Sequence, residues 1–168
     1  MKLKQIIISL LIVIAFLISS CAFYSFSGST LPSHLKSVDL PLFANATLQP
    51  GVAEDITQEL NREILSSNLL RIVSDDGDAT ISGTVMSYSN DPHTFGATDD
   101  RQVDVDQYKV RISVEVLFSD NKRNEPLYSG TVTGEGIYDF RTENEEHGKT
   151  RAIKEIVERV MQNSVQSW

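Results

Sequence analysis

Tyr108-Lys109-Val110-Arg111-Ile112-Ser113-Val114-Glu115-Val116-Leu117-Phe118 sets Tyr108, Val110, Ile112, Val114, Val116 and Phe118 against Lys109, Arg111, Ser113 and Glu115. Successive side chains on a strand point to opposite faces. This period of two therefore predicts a half-buried antiparallel strand, apolar on one side and polar on the other. Just upstream, Val103 and Val105 fall on the opposite parity, which predicts a bulge near Asp106-Gln107. Downstream, Asp120 to Pro126 has the composition of a turn region, and Leu127 to Tyr138, rich in Gly, Thr and Val, reads as the next strand.

Further upstream, Thr80 to Tyr88 reads as a strand, and the polar stretch Asn90 to Gln102, with Pro92 and Gly96, as a long loop. Leu69 to Val73 is a short strand candidate, followed by a turn over Ser74-Asp75-Asp76-Gly77-Asp78. Val38 to Phe43 reads as a strand that Pro41 interrupts and confines to an edge or a strand end. Two segments carry helical spacing instead. Val52, Ile56, Leu60 and Ile64 recur on one face after Pro50-Gly51, with Glu54 and Asp55 at the positive end of the dipole and Asn68 as a stop. Past a polar link from Glu143 to His147, Ala152, Ile153, Ile156, Val157, Val160, Met161, Val165 and Trp168 mark a terminal amphipathic helix.

The order is β-α-β-β-β-β-α. Two amphipathic helices each need an apolar partner, and a sheet with one apolar face supplies it. The expected architecture is a two-layer α+β sandwich: a four-stranded, mostly antiparallel sheet with two amphipathic helices on one face.

The amino terminus reads as an address. Lys2 and Lys4 precede a thirteen-residue run, Ile6 to Ile18, nearly all apolar. At about 1.5 Å per residue it is short for a hydrocarbon core of about 30 Å, but it suits the apolar region of a signal peptide. Ile18-Ser19-Ser20-Cys21 then resembles a bacterial lipobox, which implies cleavage before Cys21 and acylation of its thiol, palmitate included. Each buried methylene of an acyl chain contributes about 0.8 kcal/mol, so several chains anchor durably. Ala22, where an aspartate is the familiar inner-membrane retention signal of enteric bacteria, favours the outer membrane. Ser27-Gly28-Ser29-Thr30 is the one flexible piece of tether, and a short tether keeps the domain near the membrane. The expected division is 1–20 signal peptide, 21–36 lipidated amino terminus and tether, and 37–168 a single α+β domain.

Composition narrows the function by exclusion. The 168 residues carry 23 Asp and Glu against 15 Lys and Arg, a net charge of −8 that a nucleic-acid backbone would repel. A single cysteine excludes an intramolecular disulfide framework and a cysteine-based zinc cage. His34, His93 and His147 are scattered in segments that read as solvated loops. Asp99, Asp100, Asp104 and Asp106 could offer oxygens to a divalent cation, but they miss the EF-hand register and read as a solvated acidic edge. Gly134-Glu135-Gly136 lacks the third glycine and the following helix of a nucleotide loop. No nucleophile elbow, phosphate loop or zinc-protease helix is present. The expectation is a non-enzymatic protein with no cofactor and no catalytic or metal site.

With these elements in order, the chain from Cys21 onward resembles the lipopolysaccharide-assembly lipoprotein family (LptE-like). Cys21-Ala22-Phe23-Tyr24-Ser25-Phe26 is similar to that family's aromatic start after the lipid cysteine. Val38 to Thr47 resembles its first strand and following turn, Ile56 to Leu60 its first helix, Ala79 to Tyr88 and Tyr108 to Phe118 two of its strands, and the terminal helix also fits. The resemblance implies a lipid-anchored plug on the periplasmic side of the outer membrane. The plug would sit in a β-barrel partner (LptD-like) and support lipopolysaccharide transport. It also implies basic residues on strand ends as contacts with lipopolysaccharide. Here the candidates are Arg101, Lys109, Arg111, Lys122 and Arg123. Lys109 and Arg111 share one strand face, while Arg101 and Lys122-Arg123 flank opposite ends of the strand and would form no single patch. Read plainly these are solvated charges; read functionally they meet lipid A phosphates or barrel carboxylates.

The alternative reading is an outer-membrane lipoprotein adaptor for peptidoglycan or a periplasmic envelope enzyme. The short tether speaks against it. Replacing Cys21 by alanine removes the acylated thiol. In fractionated cells the Cys21→Ala chain is expected to lose the membrane anchoring of the parent, and unchanged partitioning would remove the lipobox reading.

Overall fold

The computed structural model describes residues 31–97 and 103–165, with side chains omitted at 95–97, 103 and 104. The lipobox, Ser27–Thr30, Asp99, Asp100, Arg101 and Trp168 lie outside the described residues, and the side chain of Asp104 with them. Eight elements follow in order: β1 (Ser37–Asp39), β2 (Ala44–Asn45), α1 (Val52–Ser67), β3 (Arg71–Val73), β4 (Ala79–Ala97), β5 (Val103–Asp120), β6 (Glu125–Asp139) and α2 (Glu145–Ser164).

The fold is α+β with both helices over one sheet, but the sheet differs from the expected four antiparallel strands. It has six strands and is mixed, in the order β3-β1-β4-β5-β6 with β2 also on β4. β4, β5 and β6 form an antiparallel meander, whereas β1 pairs parallel with β3 and β4, and β2 parallel with β4. The parallel half arises because β1, α1 and β3 form a crossover unit, the connection that parallel strands require. Five segments read as strands in the sequence, and Pro41 accounts for the sixth. It has no N–H to give to a ladder, so the expected Val38–Phe43 strand breaks there, and Ala44–Asn45 resumes the pairing with β4.

β5 carries the sequence reading into the core. Val110, Ile112, Val114, Val116 and Phe118 are fully buried and join one cluster with Val52, Ile56, Leu60 and Ile64 of α1 and Ala152, Ile156, Val157, Val160 and Met161 of α2. The expected register shift is present: Thr94 pairs with Gln107 and Phe95 with Val105, leaving Asp106 as the extra residue. That bulge reverses the parity of the strand.

Several boundaries move, most of all in β4 and α2. β4 continues through the stretch expected as a loop, and Asn90–Ala97 pairs with Val103–Val110. Asp91 to Thr94 are exposed there, so no apolar alternation marks the strand; ladder hydrogen bonds to β5 carry it. α2 begins at Glu145, inside the expected polar link, because Asn144 caps it. The Asn144 side chain accepts from His147 N, and the His147 ring accepts from Asn144 N. This is the reciprocal geometry of a capping box with histidine in the place of glutamate.

The glycines of β6 have a packing role. A methyl group on Gly136 would overlap the carbonyl oxygen of Gly148, and one on Gly134 that of Ala152. Glycine on both elements lets the backbone of α2 lie against β6. The outer edge of β6 is then covered over Thr133–Ile137 by α2 side chains. Arg151 Nη1 donates to Ile137 O at 2.6 Å, Arg159 Nη1 donates to Thr133 O at 2.9 Å, and Glu155 Oε2 accepts from Glu135 N at 2.6 Å. An edge partly taken up in this way is a poorer template for pairing with another strand. Gly136→Ala must push α2 off the sheet, and is expected to cost about 2–3 kcal/mol in denaturant unfolding. Unaltered stability would show that the helix moves aside freely.

Candidate functional site

The face of the sheet turned away from the helices is uncovered and mostly polar, with Leu117 and Ile137 exposed among the polar groups, and the β5 side chains excluded from the core define it. Lys109, Arg111, Ser113 and Glu115 stand there opposite Ile137, Glu135, Thr133 and Thr131 of β6. Ser113 and Thr133 hydroxyls meet at 3.0 Å. Arg111 Nη2 lies 2.7 Å and Lys109 Nζ 3.3 Å from Glu135, so one carboxylate takes both candidate cations. The Arg111 guanidinium, aided by Lys109, holds the Glu135 carboxyl below the ordinary carboxylate range against the opposing effect of burial.

Lys122 and Arg123 sit in the β5–β6 turn, at the far end of the strand from Lys109. Lys122 Nζ lies 2.6 Å from Asp78 and 3.4 Å from His34 O, and Arg123 lies 3.6 Å from Glu125. The structure thus brings Lys109 and Arg111 together, separates them from Lys122 and Arg123, and gives each of the four an acidic partner. Arg101 lies outside the described residues.

That turn end is tied by two carboxylates which sequence reasoning missed. Asp78 accepts from Lys36 N at 2.8 Å and Ser37 N at 3.0 Å, while Asp78 N donates to Ser37 Oγ at 3.0 Å. The exchange holds the crossing from β3 to β4 against β1, where Gly77 comes so close that a Cβ would meet Asp39 N. The Lys122 ammonium and these backbone donors keep the Asp78 carboxyl far below its ordinary value. Asp120, fully buried, accepts from Lys122 N and Arg123 N and stands 2.5 Å from His34 Nε2. Burial works to raise its carboxyl, but His34 and the two turn N–H groups together bring it below the usual value. The available signal was Asp120 at the head of an Asn-Lys-Arg-Asn turn, a position where aspartate binds backbone two and three residues on.

The other end of the core holds a second polar group. Tyr88 OH donates to Glu145 at 2.6 Å, and Asn90 Nδ2 donates to both Glu145 and Tyr138 OH at 3.0 Å. Burial and the Glu145 carboxylate push the Tyr88 phenol well above its ordinary value. Of the three histidines, His34 and His147 are structural partners and His93 is exposed in the β4 ribbon. Asp106 pairs with Arg141 at 2.8 Å. Among the described residues, no three His, Cys, Asp or Glu side chains gather to hold a metal ion. No described helix is long and apolar enough to cross a membrane.

Among the described residues the arrangement is a broad surface: an open sheet face, ion pairs closed on themselves, and a two-helix back. A sequence profile of the Lipopolysaccharide-assembly family (LptE) matches residues 35–164, from the approach to β1 through the end of α2. The chain belongs to that family. No curated protein matches it. Among solved structures, PelC from Paraburkholderia phytofirmans, a dodecamer, is 17% identical over 83% of this chain and 95% of that one, at a TM-score of 0.53. A Xanthomonas campestris protein of the DUF330 family is 9% identical over 82% and 89%, also at 0.53. A hypothetical protein from Chlamydia trachomatis is 14% identical over 75% and 95%, at 0.51. At such identities the likeness is one of fold.

The depressed carboxylates predict acid sensitivity. Asp78, Asp120, Glu135 and Glu143 (the last brought to about 2, chiefly by Arg151) titrate lower folded than unfolded. The unfolded chain therefore binds more protons at low pH. Their contribution is complete above pH about 5 and is lost as pH falls through the folded values. The melting temperature is expected to drop steeply between pH about 5 and about 2. Asp78→Asn is expected to melt lower at neutral pH and to show a shallower drop, and a pH profile parallel to the parent would refute the assignment.

Proposed function

We propose that this chain is an outer-membrane lipoprotein that serves as plug and assembly partner of a β-barrel lipopolysaccharide translocon. It supports transport and insertion of lipopolysaccharide at the cell outer membrane. The observation that carries the reading is the family match, which spans every element of the fold. Residues 1–20 serve as the signal peptide, Cys21 takes the lipid, the segment to residue 36 tethers, and 37–168 form the assembly domain on the periplasmic side. The partner is an LptD-like barrel.

The physics supports this reading. The lumen of a large barrel is polar. A plug in it needs a polar surface with few uncompensated charges, and the open sheet face offers hydroxyls and paired ions. Arg101, Lys109, Arg111, Lys122 and Arg123 are the proposed contacts to lipopolysaccharide or barrel. Lys109 and Arg111 serve by exchange: an incoming phosphate or barrel carboxylate competes with Glu135 for the same two cations. The reading requires no catalytic step and no cofactor.

The test is co-purification. With a tag after Trp168 and outer membranes dissolved in mild detergent, a large heat-modifiable barrel is expected in stoichiometric amount. Recovery of peptidoglycan or a periplasmic enzyme, with no barrel, would replace the plug by the adaptor.

A further inference from the structure

Most described cations are bound to acids. Among the described residues, Lys36, Arg71 and Lys154 are those without an ion-pair partner. Two of these three are neighbours. β1 and β3 pair at Ser37 and Arg71, and Arg71 N donates to Lys36 O at 2.9 Å. Lys36 and Arg71 line one shallow groove with Leu65, Asn68, Leu69 and Leu70, at the carboxyl end of α1. Leu65 is 58% and Leu69 50% exposed. No acidic side chain lines this groove, although the chain as a whole carries −8; the nearby Asp78 carboxylate accepts from Lys36 N and is paired with the Lys122 ammonium, and Asp75 and Asp76 lie beyond β3 in the turn.

The groove also sits where the chain enters the fold. Leu31, the first described residue, is ten residues after Cys21, and Lys36 leads directly into β1. Ten residues reach at most about 33–36 Å when extended, and about 16–19 Å on average as a flexible coil. A lipid on Cys21 therefore holds this end of the domain within one domain's breadth of the bilayer surface.

We propose that the groove of Lys36, Arg71, Leu65 and Leu69 docks on the anionic phospholipid surface beside the anchor. The two cations meet headgroup phosphates, and the two leucines enter the boundary between headgroups and acyl chains. The inference rests on lipid attachment at Cys21. Charge complementarity selects the occupant. Two uncompensated cations beside exposed leucines fit an anionic amphiphilic surface, and basic side chains next to a membrane are attracted within a screening length of it. A lipid on Cys21 alone limits distance and sets no orientation; a second contact on the body of the fold fixes which end faces the bilayer.

The full lipidated chain provides the test. Cys21 is the lone cysteine and is acylated in this reading, so Leu69→Cys supplies one reactive thiol for an environment-sensitive fluorophore. Thr131→Cys, exposed on the opposite sheet face, is the control. Both are reconstituted in phosphatidylcholine vesicles with and without phosphatidylglycerol, with nitroxide-bearing lipids as quenchers. Flotation reports the anchor and quenching reports the groove. Quenching at position 69 is expected to exceed that at 131 at least about twofold in phosphatidylglycerol vesicles, and to fall towards the control at about 1 M salt, where screening shortens to about 3 Å. Lys36→Gln combined with Arg71→Gln, in the labelled Leu69→Cys background, is expected to lower it likewise. Flotation with equal quenching at the two positions would overturn the docking surface and leave the anchor standing. Failure to float would overturn the anchor and with it this inference. A response of the position 69 label to lipopolysaccharide in detergent, with none to phosphatidylglycerol vesicles, would overturn the phospholipid source.

Discussion

Val110, Ile112, Val114, Val116 and Phe118 gain by leaving water, each by roughly 1.5–3 kcal/mol when fully buried, and β5 presents all five on one side. Burying that row requires a layer over the central strand, and α1 and α2 are that layer. The strands on either side inherit the same inward face: Ile81 and Val85 on β4, Val132 and Tyr138 on β6. The opposite face, carrying Lys109, Arg111, Ser113 and Glu115, is left to solvent or to a partner by the same geometry.

How closely the layer can approach is set at β6. Gly134 and Gly136 admit the backbone of α2, and Gly148 returns the favour from the helix. Arg151, Glu155 and Arg159 then reach over the strand and take up its outward polar groups. One element thus covers the core and shields part of an edge. That division of surfaces suits an assembly protein: a shielded edge is less open to unwanted strand pairing, while the broad sheet face stays available.

Charge follows the same economy. The chain is acidic, yet Lys109, Arg111, Lys122, Arg123, Arg151 and Arg159 are each set against a nearby carboxylate. Exposed pairs of this kind add little stability one by one. Their effect is to cancel charge locally, so that an uncompensated pair such as Lys36 and Arg71 stands out. Asp78 and Asp120 differ in kind, because they bind backbone N–H groups and hold the β3–β4 crossing and the β5–β6 turn in shape.

Periodicity determined what depends on local order alone. The apolar row of β5, the bulge at Asp106, the buried stripe of α1 with its stop at Asn68, the buried stripe of α2 and the two-layer class were legible, because each follows from which side of an element must leave water. The family was legible as well, from the order of these elements behind Cys21. Tertiary structure decided what depends on partners distant in sequence. The parallel half of the sheet needed β1, β3 and β4 to meet. The strand through Asn90–Ala97 is held by β5 with no apolar pattern of its own. The early start of α2 turned on the Asn144–His147 exchange. At the candidate contacts, Lys109 and Arg111 could be placed on one face from spacing, but that Glu135 occupies both could not, since cross-strand register is fixed only when β5 and β6 pair.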